Sequence, residues 1–170
     1  TVADIPQSAL SSGANVGPID LTTGIFTQIT NTPASRAPSP GNPGVTSPFV
    51  ADDNRDASIS DDGRIIAFSS TRDLVPGGNV DAGAVPPTPN PEIFLYSVAT
   101  ATFTQVTNTK STSFNFPISN DNPCLSSDGS VLSFVSNANL VGQNDDLNAE
   151  IYVRDSGGLR QVTKTRTDST

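Results

Sequence analysis

The chain has 170 residues, enough for one domain or a piece of a larger one, with only 34% hydrophobic and 6% aromatic residues but 13 glycines and 14 prolines. Such a composition favours short strands joined by many turns over long helices. A net charge of −8, two lysines and no basic run argue against nucleic acid or an anionic membrane surface as partner, and no apolar stretch is long enough to span a bilayer.

The sequence opens at Thr1 with no charged region followed by an apolar stretch, so an export leader is expected to have been removed or the start to be an internal boundary. Residues 19–32 read IDLTTGIFTQITNT, with a turn at Thr23-Gly24 before a strand and with Pro18 disturbing the strand ahead of it. This segment, 1–32, is expected to supply the outer strands of a partial unit. A Pro-rich linker loop follows at 33–50, then a full unit at 51–109 and a second at 110–170 with its C-terminal tail.

The two full units are copies. SISDDGRIIAFSSTRDLV at 58–75 and CLSSDGSVLSFVSNANLV at 124–141 share a serine, Asp-Gly, a phenylalanine and Leu-Val at one offset. EIFLY at 92–96 is matched by EIYVR at 150–154. The Gln-aliphatic-Thr block occurs three times, in 19–32, in YSVATATFTQVTNT at 96–109 and in VRDSGGLRQVTKT at 153–165. Three independent blocks in one order make chance an untenable explanation.

Each block predicts strands. IIAFS and VLSFV are apolar on both alternating faces, as for strands covered on both sides. Asp62-Gly63 and Asp128-Gly129 stand between paired apolar runs, where glycine accepts the positive φ of a tight hairpin. The first unit is thus four hairpin-joined strands near 57–60, 65–69, 93–97 and 103–107. The second has strands near 123–126, 131–135, 151–154 and 159–163. A four-stranded antiparallel unit with two apolar faces must lie between neighbours of its own kind, which describes a propeller blade. A β-sandwich is the rival, but it would not repeat side chains in this way.

The pattern Ser-x-Asp-Gly-x-aliphatic-aliphatic-x-Phe-x-Ser, then Glu-Ile-aromatic, then Gln-Val-Thr-x-Thr, resembles the TolB-type, WD-like β-propeller repeat. The resemblance covers about 51–165 completely and the tail of an upstream unit at 19–32. It implies an all-β fold of two full four-stranded blades plus a partial N-terminal blade in an incomplete ring. It also implies a bacterial protein outside the cytoplasm: periplasmic, secreted or on the cell surface.

In such blades the loops after strands 1 and 3 share one end, and here they are tight. The connections after strands 2 and 4 share the other end and are long: 71–92 exceeds its counterpart 137–150, and 33–56 exceeds 110–122. Loops on a rigid scaffold are where recognition is placed. The candidate contacts on this face are Arg36, Phe49, Arg55, Arg72, Asp73, Asp81, Phe114, Phe116, Asn139, Asp145 and Asp146. The competing reading is that the loops are tolerated insertions, with Phe49 and Phe116 packing between blades.

Catalytic chemistry is sparse. The absence of histidine removes Ser-His-Asp and Cys-His catalysis and His-ligated zinc. No Gly-x-Ser-x-Gly elbow or phosphate-binding glycine motif occurs, and no carboxylate pair is singled out for glycoside hydrolysis. No cofactor is expected. The stretch 144–150, with Asn144, Asp145, Asp146 and Glu150, is the best oxygen cluster for calcium, although it lacks the spacing and central glycine of the twelve-residue calcium loop. Its other reading is a polar lead into the Glu-Ile strand. Cys124, the only cysteine, is expected to be a small buried filler.

Two blades and a remnant do not close a ring of the usual four to eight. The expected partners are therefore further protein, or copies of the chain that complete the propeller. The leading function is a non-catalytic scaffold or interaction module in a larger assembly or longer chain. The alternatives are the propeller portion of a hydrolase gating a catalytic domain, and a subunit of an extracellular fibre.

Overall fold

The computed structural model describes residues 19–20, 24–32, 54–79, 90–111 and 117–166. Among these residues ten strands lie in three antiparallel sheets. A short hairpin pairs β1 (Ile19–Asp20) with β2 (Ile25–Phe26). The first full sheet is the meander β3 (Asn54–Ile59), β4 (Ile65–Ser70), β5 (Glu92–Ser97) and β6 (Thr102–Gln105). The second repeats it as β7 (Asn120–Leu125), β8 (Leu132–Ser136), β9 (Glu150–Asp155) and β10 (Gly158–Gln161). Two such meanders stacked through their faces are β-propeller blades, with no helix among the described residues.

The Asp-Gly turns are built alike. Ser60 Oγ donates to Asp62 Oδ1 at 2.7 Å, the same carboxylate accepts from Arg64 N at 3.0 Å, and Gly63 closes the turn at φ 70°. Ser126, Asp128 and Ser130 N repeat these bonds at 2.6 and 3.0 Å around Gly129, at φ 71°. Glycine adopts this left-handed conformation without steric cost. Asp62, Gly63, Asp128 and Gly129 thus hold turns.

The first strand of each blade begins earlier than the alternation predicts, at Asn54 and Asn120 rather than near 57 and 123. The cause is a bulge: the register slips between Arg55 and Ser58 and again between Asp121 and Cys124. Asp56 and Asn122 take the extra position at φ 56° and 53°, a conformation that Asp and Asn tolerate better than most residues. Pro123, which has no N–H to give, sits inside this same irregularity. The last strands end sooner than expected because a threonine side chain takes over the ladder. Ile93 N donates to Thr107 Oγ1 and Ile151 N to Thr163 Oγ1, both at 2.8 Å.

Alternation gives each blade two working faces. On one face of the first blade, Ile66, Phe68, Phe94 and Tyr96 close over Ile29 of the N-terminal remnant, with Phe68 and Phe94 stacked at 6.0 Å. On the other face, Ala67 and Ile93 meet Leu132, Phe134 and Tyr152 of the second blade. Phe134 and Tyr152 are both buried and stack at 5.8 Å. Residues equivalent by repeat touch across this boundary: Asp61 N donates to Ser127 O at 2.8 Å, and Arg55 Nη2 reaches Asp121 Oδ1 at 2.8 Å.

Candidate functional site

At the end of the blades opposite the Asp-Gly turns, a repeated polar lock joins each blade to the next. Glu92 heads β5, wholly buried, and its Oε1 accepts from Thr109 N at 2.5 Å, Thr109 Oγ1 at 2.8 Å and Asn90 Nδ2 at 2.9 Å. Asn120, the first residue of the next blade, closes the lock. Its amide donates to Thr109 Oγ1 at 2.8 Å and to Glu92 Oε2 at 3.2 Å, and its oxygen accepts from Ser136 Oγ at 2.7 Å. The upstream boundary repeats the pattern: Asn54 Nδ2 donates to Thr32 Oγ1 at 3.3 Å and Asn54 Oδ1 accepts from Ser70 Oγ at 2.8 Å. Glu-Ile and Thr-x-Thr recur together in the sequence because they are two halves of one contact.

Glu150 heads β9 in the same way, accepting from Thr163 Oγ1 and from Thr165 N and Oγ1, both of the latter at 2.6 Å. The two carboxyls titrate in opposite directions. Burial between two blades pushes Glu92 up, whereas the Thr163 and Thr165 hydroxyls hold Glu150 below the usual carboxylate range.

The described parts of the connections after β4 and β8 lie at this end. In the loop after β4, Asp73 accepts from the backbone N–H groups of Gly77, Gly78 and Asn79 at 2.8, 3.1 and 3.2 Å. In the loop after β8, Asn139 plays that part, its oxygen accepting from Asn144 N at 3.0 Å and its amide donating to Asp145 at 2.8 Å. Asn79 and Asn144 lie buried at matching positions beneath these loops. Beside the second loop opens a groove of about 430 Å³ lined by Gln143, Asp145, Asp146, Lys164, Thr165 and Arg166.

Among the candidate contacts, Asp73, Asn139, Asp145 and Asp146 are exposed at this end. Arg72 is 7% exposed and forms part of the loop's floor. Arg55 lies in β3, where its guanidinium is committed to Asp121 across the blade boundary. Arg36, Phe49, Asp81, Phe114 and Phe116 fall outside the described residues. Lys164 and Arg166 escaped the sequence reading, although their place beside the repeated Thr-x-Thr marked them as leading into the blade-to-blade end. Among the described residues no three acidic or cysteine side chains converge to hold a metal ion, and Glu150, one of the calcium candidates, is committed to Thr163 and Thr165. Cys124 departs from expectation: it is exposed, because β7 turns this position to the face of the second blade that points away from the first.

The fold and its sites thus define a stack of β-propeller blades with a polar lock at each boundary. No protein-family model matches the chain, and no curated protein does. Among solved structures it is similar to TolB from Acinetobacter baumannii (18% identity, TM-score 0.46, 88% of this chain and 26% of that one). It is also similar to a protein assigned as TolB from Agrobacterium tumefaciens (18%, 0.48, covering 87% and 40%) and to the tricorn protease (17%, 0.49, covering 83% and 11%). The chain spans less than half the length of each of these proteins.

Proposed function

We propose that the chain is a non-catalytic β-propeller scaffold that binds protein through its long-loop end, outside the bacterial cytoplasm and within a larger assembly or longer chain. The supporting observation is the groove at that end, where Asp145 and Asp146 face Lys164 and Arg166 across an open surface carried on rigid strands. Opposed charges of this kind suit a polar peptide or loop more than a small apolar ligand, which favours enclosed apolar pockets. The extracytoplasmic setting follows the resemblance to TolB-type repeats.

The test is proximity crosslinking in the native host with the wild-type chain and with an Asp145→Lys/Asp146→Lys variant of unchanged circular dichroism. A protein captured by the wild type and lost on the variant supports this reading. Equal capture by both places recognition elsewhere.

A further inference from the structure

The two faces of the second blade differ sharply. The face towards the first blade is covered by Ala67 and Ile93, whereas the other presents Ile151, 43% exposed, and Val162, 55% exposed. Their equivalents in the first blade are not left open: Ile93 is wholly buried against the second blade, and Val106 packs against the same core. The lock shows the same asymmetry. Thr32 meets Asn54 and Thr109 meets Asn120, each at a boundary between consecutive units. Among the described residues no following strand brings an asparagine to the third copy, Glu150 with Thr165.

We propose that the face bearing Ile151 and Val162 docks a further blade of this same repeat, whose first strand places an asparagine against Glu150 and Thr165. The shape required is already displayed one boundary upstream, so the new contact continues an existing interface by one step. The partner blade presents aromatic residues where the second blade presents Phe134 and Tyr152, and a hydroxyl-bonded asparagine where it presents Asn120. A basic residue second in its first strand, in the place of Arg55, also meets Asp121, whose side chain remains partly exposed. Cys124 lies on the docking face, since its counterpart Ser58 is the residue that accepts Leu125 N across the existing boundary, at 3.1 Å. The inference rests on the assembly part of the function proposed above and is separate from recognition at the loop end, so the crosslinking experiment and the one below can fail independently.

The full chain, extended directly after Thr170 by a copy of residues 49–109, repeats the spacing from Thr109 to Asn120 and supplies Asn54 and Arg55 to the open face. Docking predicts one cooperative unfolding transition, with a midpoint raised by about 5 °C, and a fall of about tenfold or more in the alkylation rate of Cys124. It also predicts that Ile151→Lys lowers the midpoint of the extended chain while shifting the original chain by less than about 2 °C. An appended blade that melts separately or stays unfolded overturns the proposal. So does Ile151→Lys destabilising the original chain as much as the extended one, because the face is then already covered. Cys124 protection in the original chain that rises with protein concentration assigns the face to a second copy instead.

Discussion

Glu92 and Glu150 hold the same position in consecutive blades and grip the same Thr-x-Thr pair, yet among the described residues only Glu92 is bridged by an asparagine from the blade that follows. The bridge makes Glu92 an interface residue and a heavily used acceptor. Glu92→Ala leaves the amide of Asn120, the amide of Asn90 and the Thr109 N–H without their carboxylate, a loss of about 2–4 kcal/mol. The loss for Glu150→Ala is smaller. Urea unfolding of both variants measures the order, and equal losses would falsify the interface role.

The same pair predicts opposite pH responses. Burial raises the folded pKa of Glu92, so the native state binds the extra proton between the ordinary 4.5 and that raised value, and stability from this group is lost as pH rises through the window. Glu150 is lowered, so its contribution is present above 4.5 and lost as pH falls through the folded value. Carboxyl carbon shifts followed by NMR should separate the two glutamates on either side of 4.5.

The turn carboxylate Asp128 is depressed from 3.8 to about 2 by the Ser126 hydroxyl and by the backbone and hydroxyl of Ser130. Its stabilisation is fully present above pH 4 and is lost as pH falls towards about 2. Asp128→Asn should flatten the acid limb of the stability curve over that range. An unchanged limb would show that the turn contributes nothing on ionisation.

Gly63 and Gly129 share a turn and a φ near 70°, but a methyl on Gly63 meets open space whereas one on Gly129 stands 3.1 Å from Ile65 Cγ1 of the first blade. Gly63→Ala should cost about 1–2 kcal/mol from backbone strain alone. Gly129→Ala should cost more by the displacement of Ile65. Thermal unfolding of the two variants, side by side, isolates the contact between blades.

A double-mutant cycle on Arg55 and Asp121 should give a coupling of about 0.5–1 kcal/mol, because both side chains are partly exposed. That coupling should shrink in molar salt. The exchange Arg55→Asp with Asp121→Arg should recover only part of it, because the new aspartate stands beside Asp56, now 3.5 Å from Arg55 Nε, and a cycle that closes at zero would show that the pair contributes nothing.

Much of this architecture is legible because the repeat is written in side chains that make local bonds. Ser-x-Asp-Gly dictates a turn, and alternation in IIAFS and in Leu132–Ser136 dictates two covered faces. What escapes the sequence depends on distant neighbours or on a shift of register. Asp56 and Asn122 look like turn residues, and only strand pairing reveals a bulge. Arg55 and Arg72 look like surface charges, and only the stacked blade and the folded loop show them committed or buried. Cys124 is exposed rather than buried, and its sequence could not say so, because strand membership fixes that one of two faces is chosen, not which face is covered.

The contact between residues 66 apart has a consequence for how the two copies diverge. A side chain that touches its own counterpart cannot stay identical if it is charged, since perfect duplication would set arginine against arginine or aspartate against aspartate. The Asp62 and Asp128 carboxylates, whose bonds stay within their own turns, are free to remain alike, and they do. At the Arg55 and Asp121 position the copies differ in sign, so the stacking geometry itself selects where a duplicated blade keeps its ancestry and where it must alternate.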